Sequence, residues 1–320
     1  MPAGSSERVD FLRARIASLE AAGGSFVSAR SWCSGGWTSA SAQDLRVSLG
    51  DARAPCSLDQ ALRGGLPWGG LHEIVAARPG DRAAASGFTL AVAARFAAHQ
   101  AKTSAKIIWI IETRALRETG TPYGPALSSC GVDPAHLVLV ETRDAQESLW
   151  AMEEALKCRS PAAVIGEIWG LAKIYDLAAS RRLVLAARKS GTPGLLIAAG
   201  LAGAADRLSS GAGTRFEIAT GASPRLPSAG GRMPLPGKTV WAARLVKARA
   251  GPHGFGFDRG KLHRLSWDPE KACFRDALSL GVLSLSGDRA SRPAWSLSTG
   301  ERGAARDFHE DQIGAEARSA

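Results

Sequence analysis

Between about residues 66 and 220 the chain alternates short, continuous apolar runs with amphipathic segments of helical length. This alternation constrains the fold more than any other feature. The apolar runs Leu71–Ala76, Lys106–Ile111, Leu137–Val140, Ala162–Ile168 and Gly194–Ala198 have the pattern of strands, several of them buried on both faces. Ser86–His99 between the first two carries Phe88, Val92, Arg95 and Phe96 at turn spacing. Tyr123–Cys130 reads as a short helix closed by Gly131. Asp144–Cys158 opens on a capping-box pattern, Asp144 with Glu147, and places Leu149, Met152 and Leu156 on one face. Asp176 caps a helix to about Lys189, which Gly191 ends. Strands separated by such helices predict a mainly parallel sheet with right-handed crossovers.

After Thr214 the helical pattern stops. Arg215–Thr220, Thr239–Arg249 and Leu262–Trp267 read as strands joined by glycine-rich turns, extending one edge of the sheet antiparallel. The expected fold class is therefore α/β, a three-layer arrangement with C-terminal antiparallel strands. The chain's 320 residues are 45% hydrophobic and 22% charged, enough apolar material for a core, which excludes a wholly disordered chain. The ends differ from the middle. Residues 5–22 read as an amphipathic helix, with Val9, Leu12, Ile16 and Leu19 on one face, and 23–44 as a linker. Residues 1–44 are thus a helix and linker, 45–275 the core, and 276–320 a tail expected to be disordered. Residues 221–237 read as a long loop.

Cys33, Cys56, Cys130, Cys158 and Cys273 form no close pairs and no metal-ligand spacing, which predicts reduced thiols, no metal site and a cytoplasmic location. No apolar stretch reaches the roughly 20 residues a bilayer needs, so no membrane association is expected. Met1–Asp10 is polar, without the basic-then-apolar pattern of a signal.

Ser57–Ile74 (SLDQALRGGLPWGGLHEI) resembles the approach to a RecA-type nucleotide-binding core, where such a stretch leads into the first core strand and the phosphate loop. Tyr123–Asp133 (YGPALSSCGVD) and Ala162–Gly170 (AAVIGEIWG) follow in RecA-like order, the latter where such proteins keep a Walker B strand. The phosphate loop departs from the pattern. A working loop needs G-x-x-x-x-G-K-[ST], in which backbone amides cradle phosphates, the lysine neutralises them and the hydroxyl holds Mg²⁺. Here the run is Gly80–Thr89 (GDRAAASGFT): Gly87 and Thr89 stand in plausible places, Phe88 takes the lysine position, and the loop that Gly80 opens carries extra alanines. An apolar ring supplies no charge, and desolvating a triphosphate beside it is costly. Arg78 and Arg82 are the nearest substitutes, and Asp81 adds repulsion.

Glu167 lies where the Walker B strand would place its acid, and Glu112 where RecA-like ATPases keep a water-activating glutamate. Without the lysine both read as vestigial. The last parallel strand ends in Ala198, Ala199 and Gly200, which offer no side chain to sense a γ-phosphate. The expectation is a RecA-like fold without ATP hydrolysis, without catalytic residues and without a cofactor.

A narrower resemblance follows from Trp150–Cys158 (WAMEEALKC), Ala163–Gly170 (AVIGEIWG) and Ala179–Leu183 (ASRRL). With the LPWGGLHEI stretch these resemble the ImuA family of inducible-mutagenesis accessory proteins, grouped also with SulA-like proteins. The resemblance spans roughly residues 5–275. It implies an accessory role in error-prone translesion synthesis under SOS control, beside an ImuB-like Y-family polymerase homologue and an error-prone relative of the polymerase α subunit. RecA, DNA and self-association are further partners to test. Two alternatives remain open on the sequence: a SulA-like inhibitor of cell division, and a RecA/RadA-type DNA-dependent ATPase with unusual phosphate ligands.

The net charge of +10 is uneven. Between 225 and 275 eleven basic residues face three acidic ones, with His253, Phe255, Phe257 and Trp267 interleaved. Lys238, Arg244, Lys247, Arg249, Arg259, Lys261 and Arg264 are the candidate contacts to DNA phosphates or an acidic partner. A solvated basic face is the competing reading. Of nine tryptophans, Trp109, Trp150 and Trp169 fall on positions that predict core packing, while Trp32, Trp37 and Trp295 sit in polar segments as candidate partner anchors.

Overall fold

The computed structural model describes residues 45–100, 106–223, 237–249 and 257–277. The expected N-terminal helix, its linker, Trp32, Trp37, Trp295, the C-terminal tail and most of the 221–237 loop lie outside the described residues.

The strands are β1 (Arg46–Val47), β2 (Leu66–Pro67), β3 (Leu71–Ala76), β4 (Ile107–Glu112), β5 (Leu137–Thr142), β6 (Ala163–Ile168), β7 (Gly194–Ala198), β8 (Thr214–Thr220), β9 (Val240–Ala248), β10 (Leu262–Asp268) and β11 (Cys273–Asp276). The helices are α1 (Ser57–Ala61), α2 (Arg82–His99), α3 (Thr113–Thr119), α4 (Gly124–Ser129), α5 (Ala145–Lys157) and α6 (Leu177–Ser190). Nine strands form one sheet in the order β11-β10-β9-β8-β3-β7-β6-β4-β5. The six from β8 to β5 are parallel, and β9, β10 and β11 continue antiparallel. The expected fold class is the one observed, and the elements fall close to their predicted bounds.

Residues of β3, β4, β6 and β7 are buried along their whole length, because helices cover both faces. One face packs Ile74, Ile107, Trp109, Ile111, Ile165 and Ile197 against α2, α3 and α4 through Phe88, Phe96, Ala115 and Leu127. The other packs Leu71, Val75, Ile108, Ile110, Val164 and Leu196 against α5 and α6 through Met152, Leu156, Leu183 and Ala187. Each fully buried Val, Leu, Ile, Phe or Met among them contributes about 1.5–3 kcal/mol. Gly166 on β6 allows the closest approach: a Cβ there would stand 2.7 Å from the Met152 sulfur.

Local chemistry sets the helix ends. Asp144 accepts the Glu147 N–H at 2.9 Å, and Asp176 accepts the Ala179 N–H at 2.7 Å. Gly191 closes α6 with φ of +81°, a conformation that favours glycine.

Several elements differ from expectation. α2 starts at Arg82, four residues before the predicted Ser86, because Ala83, Ala84 and Ala85 are strong helix formers and continue its first turn. β1, β2, α1, α3 and β11 are additional, each of seven residues or fewer and too short to show a clear period. Trp109 is buried as predicted, whereas Trp150 and Trp169 are only partly buried.

Candidate functional site

In open α/β sheets ligands bind beyond the carboxyl ends of the strands. Here the ends of β3, β4, β6 and β7 bring together Arg78, Asp81 and Arg82, then Glu112, Glu167 and Trp169, then Ala199. This is where a RecA-type core would hold its nucleotide; of the residues singled out in the sequence, Glu112 and Glu167 lie here, while Gly87, Phe88 and Thr89 lie within α2.

The segment that would cradle phosphates is helix. After Ala76 the chain makes one short turn, Pro79–Asp81, and α2 begins immediately. Amides of α2 beyond its first turn are engaged in intrahelical bonds, so they cannot converge on an anion as those of an open loop do. Gly80 lies in the turn with open space around it. Gly87 lies inside α2, its Cβ direction pointing at the Trp241 ring 3.8 Å away. Phe88 is fully buried between Phe216, Trp241 and Phe274, with ring centroids at 5.9, 6.1 and 5.3 Å. Thr89 is buried and donates to the Ala85 carbonyl at 2.8 Å, so its hydroxyl serves the helix.

The two arginines nearest the turn are engaged. Arg78 pairs with Asp81 at 3.1 Å. Arg82 donates to the Ala199 carbonyl at 3.1 Å and lies 4.4 Å from the centre of the Trp169 ring. Arg114 lies over the same ring at 5.1 Å. Asp81 points inward: it accepts the Thr220 N–H at 3.0 Å. Burial works to raise its pKa, but the Thr220 and Arg78 hydrogen bonds outweigh it and hold the carboxyl below its ordinary value.

Glu112 and Glu167 are both buried and accept hydrogen bonds from within the chain. Glu167 accepts from the Ser86 hydroxyl at 2.9 Å and the Thr119 hydroxyl at 3.3 Å. Burial raises its pKa against these hydrogen bonds. Glu112 accepts the backbone N–H groups of Trp169 at 2.7 Å and Gly170 at 2.9 Å, tying the end of β4 to the turn after β6. Among the described residues no group of three or more His, Cys, Asp or Glu side chains is placed to hold a metal ion.

The seven basic candidates do not gather on one free surface. Arg244 makes a two-pronged pair with Glu217, at 3.0 and 2.9 Å, and reaches Asp206 at 3.3 Å. Lys247 donates to the Ser210 carbonyl at 2.7 Å, and burial pushes its pKa down to about 8. Arg249 is exposed and reaches the same carbonyl at 3.4 Å. Arg264 donates to the Ala222 carbonyl at 2.9 Å. Lys238, Arg259 and Lys261 are exposed, without an ion pair among the described residues. Lys238 and Arg249 flank opposite ends of β9, a strand roughly 30 Å long.

Sequence reasoning missed a buried polar row. Glu73 of β3, Arg215 of β8 and Lys247 of β9 are neighbours in register across the sheet. Arg215 pairs with Glu73 at 2.7 Å, with both side chains almost wholly buried, and also donates to the carbonyls of Ala205 and Leu208. The Tyr175 hydroxyl donates to Glu73 at 2.5 Å, and burial, with the Glu73 charge, raises its pKa well above the usual phenol value. A glutamate inside the apolar run of β3 was the available signal. Asp59 is likewise structural: its carboxylate accepts the N–H groups of Leu49, Gly50 and Cys56 at 2.6, 2.8 and 3.1 Å.

No family model matches the chain. Two curated relatives do: the ImuA proteins of Caulobacter vibrioides strains NA1000 / CB15N and ATCC 19089 / CIP 103742 / CB 15. Each is 32% identical over 197 residues, covering 60% of this chain and 75% of the relative. The chain belongs to the ImuA family. Two stretches of the ImuA resemblance, WAMEEALKC on α5 and ASRRL on α6, meet in space: Arg182 donates to Glu153 at 2.9 Å. Those segments join the two helices that cover one sheet face. Among solved structures, the RadB recombinase aligns with this ImuA-family chain at a TM-score of 0.42 and 15% identity, covering 69% of this chain and 97% of that one.

Proposed function

We propose that this ImuA-family protein is a non-catalytic accessory factor of error-prone translesion synthesis in the SOS damage response. It acts by binding an ImuB-like Y-family polymerase homologue, and through it an error-prone polymerase α subunit. RecA and DNA are further contacts in this reading. The observation that carries the non-catalytic part is Phe88, which sits at the phosphate-loop lysine position and lies fully buried among three aromatic rings. Family membership carries the rest.

The test is affinity purification of the full chain from DNA-damaged cells, paired with a nucleotide titration of the purified protein. Recovery of the Y-family homologue, with no saturable ATP binding, is the expected result. Recovery of the tubulin-like division protein alone would favour the SulA-like alternative and overturn the proposal. Saturable ATP binding with hydrolysis would overturn the non-catalytic part.

A further inference from the structure

The segment Ser209–Gly213 leads into β8 and lies between α6 and the end of β9. The Gly211 N–H donates to the Ser180 hydroxyl at 2.8 Å, and the Arg249 N–H donates to the Gly213 carbonyl at 2.7 Å. A Cβ on Gly211 would stand 3.2 Å from Cγ of Arg181, so the segment lies close against α6. Four cations gather there: Arg181 of α6, Arg215 of β8, Lys247 of β9 and Arg249 just beyond it.

These cations are short of anionic partners. Among the described residues Glu73 is the one carboxylate in contact with the group, and it is already held by Arg215 at 2.7 Å and the Tyr175 hydroxyl at 2.5 Å. Asp206 and Glu217 are engaged by Arg244. One serine serves in place of an acid. The Ser210 carbonyl accepts from Lys247 at 2.7 Å and Arg249 at 3.4 Å, and its hydroxyl from Arg215 at 2.9 Å and Lys247 at 3.2 Å. Arg181 is exposed and makes no ion pair among the described residues. Burial first, then the Arg249 and Arg215 charges, push the Lys247 pKa down to about 8 against the opposing Glu73 charge. A neutral serine offsets no charge, so Arg181, Lys247 and Arg249 remain uncompensated.

We propose that Arg181, Lys247 and Arg249 form a site for the phosphodiester backbone of a nucleic acid. This rests on the reading above in which DNA is a further contact of the chain, and it assigns that contact to these residues. The exposed arginines stand on different elements with the segment between them, so together they can meet successive charges of one polyanion. Between them Ser-Ser-Gly-Ala-Gly presents no aromatic or long aliphatic side chain, the kind of anchor a protein partner needs. The same lack leaves no ring in the segment on which a base could stack. Backbone charge then governs binding, so single and double strands of any sequence are held alike, and affinity falls steeply with salt.

The test uses the full chain and labelled DNA, a mixed-sequence strand and its duplex, in anisotropy titrations across a salt series. Both should bind. Arg181→Ser combined with Arg249→Ser should lower the slope of log affinity against log salt by about two for each DNA. Both residues are exposed, so the thermal midpoint should stay within a few degrees. Arg181→Lys with Arg249→Lys keeps the charges and should keep the slope, which a merely structural role would not predict. Arg244→Ser is the control and should leave the slope unchanged, since Glu217 and Asp206 already neutralise that guanidinium. No binding of either DNA at low salt overturns the site and the DNA contact together, and leaves the polymerase-homologue reading standing. Binding with an unchanged slope in the double serine variant overturns the site alone. Displacement by polyglutamate as readily as by unlabelled DNA assigns the patch to an acidic protein and overturns it too. So does an equal loss of slope in Arg244→Ser.

Discussion

The Phe88 and Phe274 rings meet with their centroids 5.3 Å apart, joining the helix that follows the first parallel strand to the last antiparallel one. Phe88 thus packs α2 against β8, β9 and β11 together. Trp267 and Trp241 pack on Phe274 at 5.2 and 5.7 Å and complete the cluster.

Restoring the lysine should therefore not restore a phosphate site. Phe88→Lys removes a buried ring and places an unpaired cation in its cavity, with an expected loss of about 3–5 kcal/mol of stability. Denaturant unfolding should show that loss, and a nucleotide titration of the variant should remain flat.

The Glu73–Arg215 pair should behave as a buried ion pair with no exposed alternative. Arg215→Met leaves Glu73 without its cation and the Ala205 and Leu208 carbonyls without their donor. The expected cost is about 3–5 kcal/mol. The double variant Glu73→Gln with Arg215→Met should lose less than the sum of the two single changes, measured by a double-mutant cycle in urea.

His72 should give the fold an acid sensitivity. It is buried, stacked on Phe96 with centroids 5.9 Å apart and in contact with the Thr214 hydroxyl at 2.8 Å. Burial pushes its pKa down to about 4, against an opposing hydrogen bond to the Pro67 carbonyl. Because the unfolded histidine titrates near 6.5, the unfolded chain binds more protons between pH 6.5 and 4, and stability falls as pH drops through that window. The contribution is about 3 kcal/mol, complete above pH 6.5 and lost by pH 4. His72→Gln should flatten this part of the stability-against-pH curve in urea titrations at fixed ionic strength.

If the C-terminal strands touch DNA, the contact falls to the exposed cations. Lys238→Ala, Arg259→Ala and Lys261→Ala should each lower the slope of log affinity against log salt by about one. Arg244→Ala should leave the slope unchanged, because Glu217 and Asp206 already neutralise that guanidinium. Filter binding to single-stranded DNA across a salt series separates the two groups. Equal effects from all four would contradict the placement of Arg244.

The fold was legible because its signals are local and repetitive. Continuous apolar runs mark strands buried on both faces, and Asp144, Asp176 and Gly191 mark helix ends through hydrogen bonds a few residues long. The absence of a lysine beside Gly87 was legible for the same reason, since it is read from adjacent residues. What Phe88 does instead was not legible, because its partners are 128 to 186 residues away and no period connects them. The charge of the 225–275 segment shows the same limit. Counting found eleven cations against three acids, and only the tertiary structure decided that Arg244 faces Glu217, Lys247 faces Ser210 and Arg264 faces Ala222. Sequence by itself determined the layers, the order of the elements and the family, since these follow from local pattern and motif. Tertiary structure decided which charges are paired and which carboxylates are satisfied among the described residues, because each depends on strand register and distant contacts.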